Sequence, residues 1–181
     1  YKEERKLFKK TPKFAPAGQS TQMIVGATNE TDLKIIKVAD HFYQNFNLKR
    51  VYYSGYVPML EDTRLPSVHS QVPILRENRL YQADWLMRFY GFKADEILDR
   101  SNPFLDLEVD PKLAWALRNR EKFPVNINTA PRQMILRIPG VGTRAVTKIL
   151  MARRFQKLNL EHIKKMGVAT NRAKYFIEFE T

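Results

Sequence analysis

One turn in the sequence has residues suited to binding an anion. Pro139-Gly140-Val141-Gly142 lies between two short stretches with apolar residues at helical spacing, and Thr143 is predicted to cap the second helix. Glycine lets a backbone approach a bulky ligand and adopt positive φ. The first N–H groups of a helix lack partners within the helix, and the helix dipole favours an anion there. We therefore expect Gly140, Val141 and Gly142 to present backbone amides to a phosphate group.

Basic residues are concentrated around this turn. Residues 118–181 contain 14 Lys and Arg but only 4 Asp and Glu, a net charge of +10, whereas residues 1–117 have a net charge of +2. Such a concentration is typical of proteins that bind a polyanion, usually nucleic acid. Arg137, Arg144 and Lys148 are close enough in sequence to add charge at the turn. The expected partner is DNA. A solubilising surface without a partner is one alternative explanation of the charge, and an anionic membrane surface is a weaker one because the basic residues alternate with core-like apolar positions.

A second, weaker copy of the pattern follows the first. Residues 160–166 are predicted to form a short helix, residues 167–170 a turn with the single glycine Gly167, and residues 171–177 the start of another helix. If both copies bind, they would neutralise roughly four to six phosphates, with a log–log salt slope of about −4 to −5. Contacts of this kind position a protein on DNA without reading its bases. Gly167 is therefore a further candidate DNA contact.

The composition excludes several other chemistries. The chain of 181 residues has no cysteine, so by itself it cannot form a disulfide, a thiolate zinc site or a cysteine-ligated iron–sulfur cluster. Its histidines, His41, His69 and His162, are far apart, and no spacing predicts a metal site or a set of catalytic residues. No apolar run approaches the ~20 residues that span a bilayer. We expect a cytoplasmic protein that does not bind membranes.

Four aromatic residues are candidates for stacking on unpaired bases. They are Trp85, Phe89, Tyr90 and Trp115. Their spacing within predicted helices is more typical of core residues, so the sequence favours burial for them.

A few short elements are expected to position these residues. Residues 1–17 are basic and predict an arm, and residues 18–58 predict a β-α-β unit with parallel strands. Its helix is expected to be capped by Thr31 or Asn29, and β-branched and aromatic residues at 49–57 predict its second strand. Residues 59–122 predict a helical connector, with one helix from Arg79 and another from Pro111 after the cap Asp110. Residues 123–181 predict a hairpin domain that is helical throughout. The predicted fold class is mixed α+β, mostly α. Since two strands do not make an independent sheet, we expect the first unit to be the end of a larger one.

The turn and its surroundings resemble a known DNA-binding motif. INTA at residues 127–130, followed by IPGVG at residues 138–142, resembles the helix-hairpin-helix motif of repair and DNA-uptake proteins, in the form seen in competence proteins. The resemblance implies that the amides of Gly140, Val141 and Gly142 contact DNA phosphates. It also implies that two such hairpins pack together and each grips the backbone of one strand.

The chain from about Phe14 to Ile177 resembles one group of radical S-adenosylmethionine proteins, which act in DNA modification or repair. The resemblance rests on MIVGATNETD at residues 23–32, KRVYYSGYVP at residues 49–58 and the hairpin region. It implies that the β-α-β unit ends a catalytic half-barrel and that Gln22, Ile24 and Gly26 support S-adenosylmethionine. The 4Fe–4S cluster of that family would be bound by cysteines upstream of this chain.

The same resemblance implies partners beyond DNA. These are the N-terminal half of the barrel and a uracil-DNA-glycosylase-like protein that is often encoded nearby. The expected role is therefore the DNA-targeting module of such an enzyme, with this chain alone inactive. Two alternatives remain: a part of the half-barrel that supports the cofactor, and a non-enzymatic module whose hairpins pack against a protein partner.

Overall fold

Four strands and eight α-helices occur in the part of the chain that the computed structural model describes, residues 15–59, 63–64, 66–67 and 72–179. They confirm the mixed α+β, mostly helical fold class. The predicted basic arm lies outside the described residues except for residues 15–17. No helix in the described ranges is both long and apolar enough to cross a membrane.

The first unit is the predicted β-α-β arrangement. Strand β1 (Ser20–Val25) pairs in parallel with β2 (Arg50–Gly55), in a register that places Ser20 beside Arg50. Helix α1 (Asp32–Phe46) connects them and begins after Thr31, whose side chain accepts a hydrogen bond from the backbone N–H of Lys34. The structure confirms the predicted parallel pairing, and of the two expected caps, Thr31 and Asn29, it has Thr31.

Three helices follow the β-α-β unit. Helix α2 (Ile74–Tyr90) starts five residues earlier than the sequence predicted, directly after Pro73, and Gly91 ends it in a left-handed conformation. Helix α3 (Ala94–Ile97) is short, and α4 (Pro111–Arg118) begins after Asp110, whose carboxylate accepts from the backbone N–H of Leu113. A single 3-10 turn, Arg120–Lys122, ends this region.

The last third of the chain differs from the prediction that it is helical throughout. Two short strands, β3 (Val125–Asn126) and β4 (Ile177–Glu178), pair in parallel and join its two ends. Between them lie four helices: α5 (Arg132–Arg137), α6 (Thr143–Ala152), α7 (Leu160–Lys165) and α8 (Thr170–Ala173). The helix expected at residues 171–177 thus ends at Ala173, since the following residues turn into β4.

In the described ranges, the buried apolar residues form two clusters. The first runs from Val25 to Ala116 and contains residues of both the β-α-β unit and the following helices, which therefore share one core. The second runs from Val125 to Ile177 and contains the inward residues of α5 to α8. Tyr90 packs against both clusters and lies where the two regions meet.

Candidate nucleic-acid interface

The predicted turn joins α5 to α6, and we call these two helices with their turn the first hairpin. Gly140 has a φ of +84° and Gly142 a φ of −92°, so only Gly140 needs the conformational freedom of glycine. A Cβ on Gly140 would lie 2.8 Å from the carbonyl oxygen of Ala169, and that carbonyl belongs to the turn before α8. The Gly140 carbonyl in turn accepts a hydrogen bond of 2.9 Å from the Ala169 amide. Gly140 therefore connects the first hairpin to the turn before α8.

Not all of the predicted amide donors are available. The Val141 amide donates to the Ile138 carbonyl at 3.1 Å, and the Val141 side chain is in the core with only 2% of the residue exposed. The expectation that Val141 presents its amide to phosphate is therefore wrong. Within the described residues, the amides of Gly140, Gly142 and Arg144 bond no acceptor. Gly142 and Arg144 come before Val146, whose amide makes the first bond of α6, to the Gly142 carbonyl.

Gly142, rather than Thr143, is the residue that precedes α6. Thr143 is the first residue of the helix, so its predicted capping role is wrong. The Tyr90 hydroxyl lies near the start of α6, and burial raises its pKa although the nearby Thr143 backbone opposes this effect. A Cβ on Gly142 would meet only the Tyr90 hydroxyl, at 3.9 Å, so the protein leaves open space beside this residue.

Two of the three predicted basic residues are placed to meet an anion. Arg144 and Lys148 are exposed on α6, one turn apart, and neither forms an ion pair with another described residue. Arg137 is different: it is 9% exposed, and its Nη2 lies 2.6 Å from Glu96 Oε1. Its guanidinium also lies over the Phe92 ring. Arg137 therefore fastens the first hairpin to α3, and its predicted role in DNA binding is wrong.

The second hairpin consists of α7, α8 and the turn between them. Gly167 is exposed with a φ of +91°, but its amide donates to the Lys164 carbonyl at 3.0 Å. The amides of Val168 and Ala169 are also used, by the carbonyls of Ile163 and Gly140. The expectation that Gly167 offers an amide to phosphate is corrected, since this turn uses its donors to end α7 and to hold the first hairpin.

A groove runs between the first hairpin, the second hairpin and the helices α2 and α4. Its cavity volume is about 460 Å³, within the usual range for ligand sites. Residues of all four parts line it: Gln82, Trp85 and Tyr90, then Lys112, then Gly140 and Gly142, then Gly167 and Arg172. The turn glycines that the sequence singled out are thus brought to one surface.

Lys112 is the buried cation of this groove. Its Nζ donates to the Val141 carbonyl at 2.6 Å and lies 4.6 Å from the centre of the Tyr90 ring. Burial lowers the pKa of Lys112 to about 7, while Asp110 opposes this effect and Arg172 and Arg137 add to it. The amine therefore gains or loses its proton near neutral pH.

Asp110 and Arg172 form an ion pair at the rim of the groove. Asp110 is the predicted cap of α4, and the ion pair connects that cap to α8 of the second hairpin. Because Arg172 neutralises the carboxylate, the acid does not leave an unpaired negative charge beside the turn.

Comparisons of the chain with protein-family models, with curated proteins and with solved structures find no match.

The residues predicted to support S-adenosylmethionine lie away from the groove. Gln22 and Ile24 are exposed on β1, and Gly26 follows the strand. The Gly26 amide donates to Glu30 Oε1 at 2.9 Å, and a Cβ there would lie 2.4 Å from Val72. A 4Fe–4S cluster does not fit this chain, because the sequence has no cysteine. In the described ranges, no group of three His, Asp or Glu side chains is arranged to hold a metal ion.

Sequence reasoning missed two residues of the groove, Lys112 and Arg172. Lys112 follows the Asp110-Pro111 helix start, where nothing local distinguishes a buried lysine from an exposed one. Arg172 lies in the weaker second copy, and its ion pair spans 62 residues. Both positions depend on packing between distant segments.

Proposed function

We propose that this chain binds DNA without sequence specificity, through the start of α6 and the cations beside it. The observation that carries the proposal is the combination at one surface of open space at Gly142, unused amides at Gly142 and Arg144, and two unpaired cations on the same helix. A phosphate placed there accepts from the amides and meets the positive end of the helix dipole. Such contacts carry no information about base sequence.

The proposal assigns the two hairpins different tasks. The first hairpin contacts phosphate, because its α6 has free first-turn amides and ten residues of aligned backbone. The second hairpin supports it, because its turn amides are bonded internally and one of them bonds Gly140. The net charge of +10 over residues 118–181 attracts the DNA and is the long-range part of the binding free energy.

Gly142 gives the direct test. Gly142→Leu fills the open space with a side chain that the fold tolerates, since the φ there is ordinary and no protein atom lies within 3.9 Å of the new Cβ. We expect DNA affinity to fall at least about tenfold, since a hydrogen bond to a charged group contributes roughly 1.5–3 kcal/mol. Fluorescence anisotropy with duplexes of two unrelated sequences measures it.

The matched control is Gln133→Leu. It places the same side chain on an exposed position of α5 in the same hairpin, and we expect unchanged affinity. Circular dichroism melting establishes that both variants are folded. Equal affinity of wild type and a folded Gly142→Leu variant contradicts the proposal.

The proposed role of this DNA binding is to target a larger radical S-adenosylmethionine enzyme to its substrate. Support comes from the two edges of the β1–β2 pair. The outer amides of β2, at Val51, Tyr53 and Gly55, donate to the side chains of Tyr43, Tyr81 and Glu77, so that edge is closed. On β1, backbone alternation directs Ser20, Gln22 and Ile24 outward, and no described side chain bonds these groups.

A strand pair whose β2 edge is closed and whose β1 edge is open fits the last strands of a sheet that continues beyond β1. The reading frame upstream of the coding sequence tests this role. We expect it to encode further strands and a three-cysteine motif in the same polypeptide. A complete upstream frame without cysteines in that arrangement would contradict the enzymatic role while leaving DNA binding intact.

A further inference from the structure

An exposed aromatic pair lies on α2, and one of its members, Trp85, lines the groove. Trp85 and Phe89 lie one turn apart on α2, with ring centroids 4.6 Å apart. Trp85 is 54% exposed although Leu86 beside it is buried, so the pair lies on the outer face of the helix. Trp115, by contrast, is 2% exposed in the core. The spacing of these aromatics predicted burial for all of them, and the structure separates the two tryptophans.

The two aromatic rings have different surroundings. The guanidinium of Arg88 lies 5.0 Å from the centre of the Phe89 ring, which gives Phe89 a cationic neighbour. Trp85 lines the groove directly, next to Gln82 on the preceding turn of α2. Trp85 is therefore the residue that offers a ring face to a ligand, and Phe89 supports it from the side.

Two basic side chains also line the groove. Lys112 and Arg172 line it together with the glycines of the first hairpin. An exposed aromatic ring suits the base of a nucleotide, and the amides and cations of the first hairpin suit its phosphate. Gln82 adds an amide that can bond the edge of a base.

We propose that Trp85 stacks on an unpaired base of a DNA strand whose phosphates contact the first hairpin, an inference that rests on the proposed function. Within a duplex each base is stacked on its neighbours, so only a single-stranded or extruded base presents a free face to Trp85. Stacking on an aromatic ring accepts every base, so it adds affinity without adding sequence specificity. The substrate class is therefore DNA with unpaired nucleotides.

The charge of the surface favours this occupant over a protein segment. Five of the residues that line the groove, from Gly140 to Arg172, belong to the basic third of the chain, and the acid Asp110 is already paired with Arg172. An apolar protein segment would cover Trp85 but leave Arg144 and Lys148, the exposed cations of the first hairpin, without a counter-charge. A strand of DNA covers the ring and supplies the phosphates.

Trp85→Ala tests the proposal, with Phe46→Ala as the matched control. Phe46 is 55% exposed and forms a similar one-turn pair with Phe42, but it lies at the end of α1, away from the groove. We expect Trp85→Ala to weaken binding of a single-stranded oligonucleotide about ten- to one-hundredfold, the loss typical of one stacked base. Binding of a duplex of equal length should change less than about twofold, and Phe46→Ala should change neither.

Trp85→Phe adds a second readout. It should restore most of the single-strand affinity, because a phenyl ring also stacks, and it should remove the quenching of tryptophan fluorescence that single-stranded DNA causes in the wild type. An unchanged single-strand affinity of Trp85→Ala overturns the inference, as does an equal loss on single strand and duplex. If the wild type binds neither DNA, the proposed function itself fails, which separates the two results.

Discussion

Single residues decide which parts of the hairpin region face a ligand. Gly140 and Gly142 are alike in sequence but serve different purposes: the first allows a close backbone approach to Ala169, and the second borders open space. A substitution at Gly140 therefore disturbs packing before it disturbs binding, whereas one at Gly142 acts on the surface. The sequence does not distinguish the two glycines, because the difference comes from Ala169, which is 29 positions after Gly140.

Lys112 gives a prediction at the same scale. Its pKa is lowered to about 7 in the folded protein by burial, with Asp110 opposing and Arg172 and Arg137 reinforcing the shift. The unfolded chain holds this proton up to about pH 10. Between pH 7 and 9 the unfolded state therefore binds more protons, and the free energy of unfolding should rise with pH by roughly 2 kcal/mol from this group.

Urea unfolding of the wild type and of Lys112→Met at pH 7, 8 and 9 measures this contribution. Lys112→Met also loses the bond to Val141, so its overall stability falls, but its free energy of unfolding should lack the rise with pH. Lys34→Met, at an exposed lysine of α1, should keep the rise. An upper limit of pH 9 avoids ionisation of Tyr90, whose pKa is raised. If the free energies of unfolding of wild type and Lys112→Met change in parallel with pH, Lys112 is not the source of the rise.

At the scale of elements, the sequence predicted those with a strong local signal. The apolar spacing and caps of α1 and α4 and the β-branched and aromatic residues of β2 led to the right element types. β3 and β4 were missed because two residues are too few to show alternation, and their pairing joins Val125 to Ile177 across the whole domain.

In the candidate site, too, local features were predictable and contacts between distant residues were not. The turn, Arg144 and Lys148 were predictable because glycine content and charge are local properties. The burial of Arg137 was not, since its partner Glu96 is 41 residues away on α3. The exposure of Trp85 was not predictable either, because the helical spacing of α2 does not say which of its two sides meets a neighbour.

At the scale of the molecule, the described residues form two buried apolar clusters, and the β2 edge of the first sheet is closed by side chains. The positive charge is concentrated in residues 118–181. The first cluster joins the β-α-β unit to α2, and Tyr90 at the end of α2 reaches the second cluster and the start of α6. A strand of DNA on the groove would therefore contact both regions at once. Any catalytic part attached at the β1 edge would be held at a fixed position relative to that strand.

The position of the charge, rather than its total, should determine the salt dependence of binding. One double variant, Arg144→Gln with Lys148→Gln, removes two cations beside the proposed phosphate site. The control double variant, Lys34→Gln with Arg100→Gln, removes two exposed cations from the part of the chain that precedes the hairpins. Each phosphate contact contributes about −0.9 to the slope of log affinity against log salt. We expect the first pair of substitutions to make the slope less negative by about 2, and the second pair to leave it within about 0.5.

Titrations with one duplex between 50 mM and 200 mM salt measure both slopes, a range over which each lost contact is readily resolved. Equal slopes for the two double variants would mean that binding follows net charge alone. That result would contradict a localised phosphate site at α6, because a diffuse field responds to any two charges of the same sign. A change confined to the α6 variant requires the phosphates to lie beside Arg144 and Lys148, where the unused amides also are.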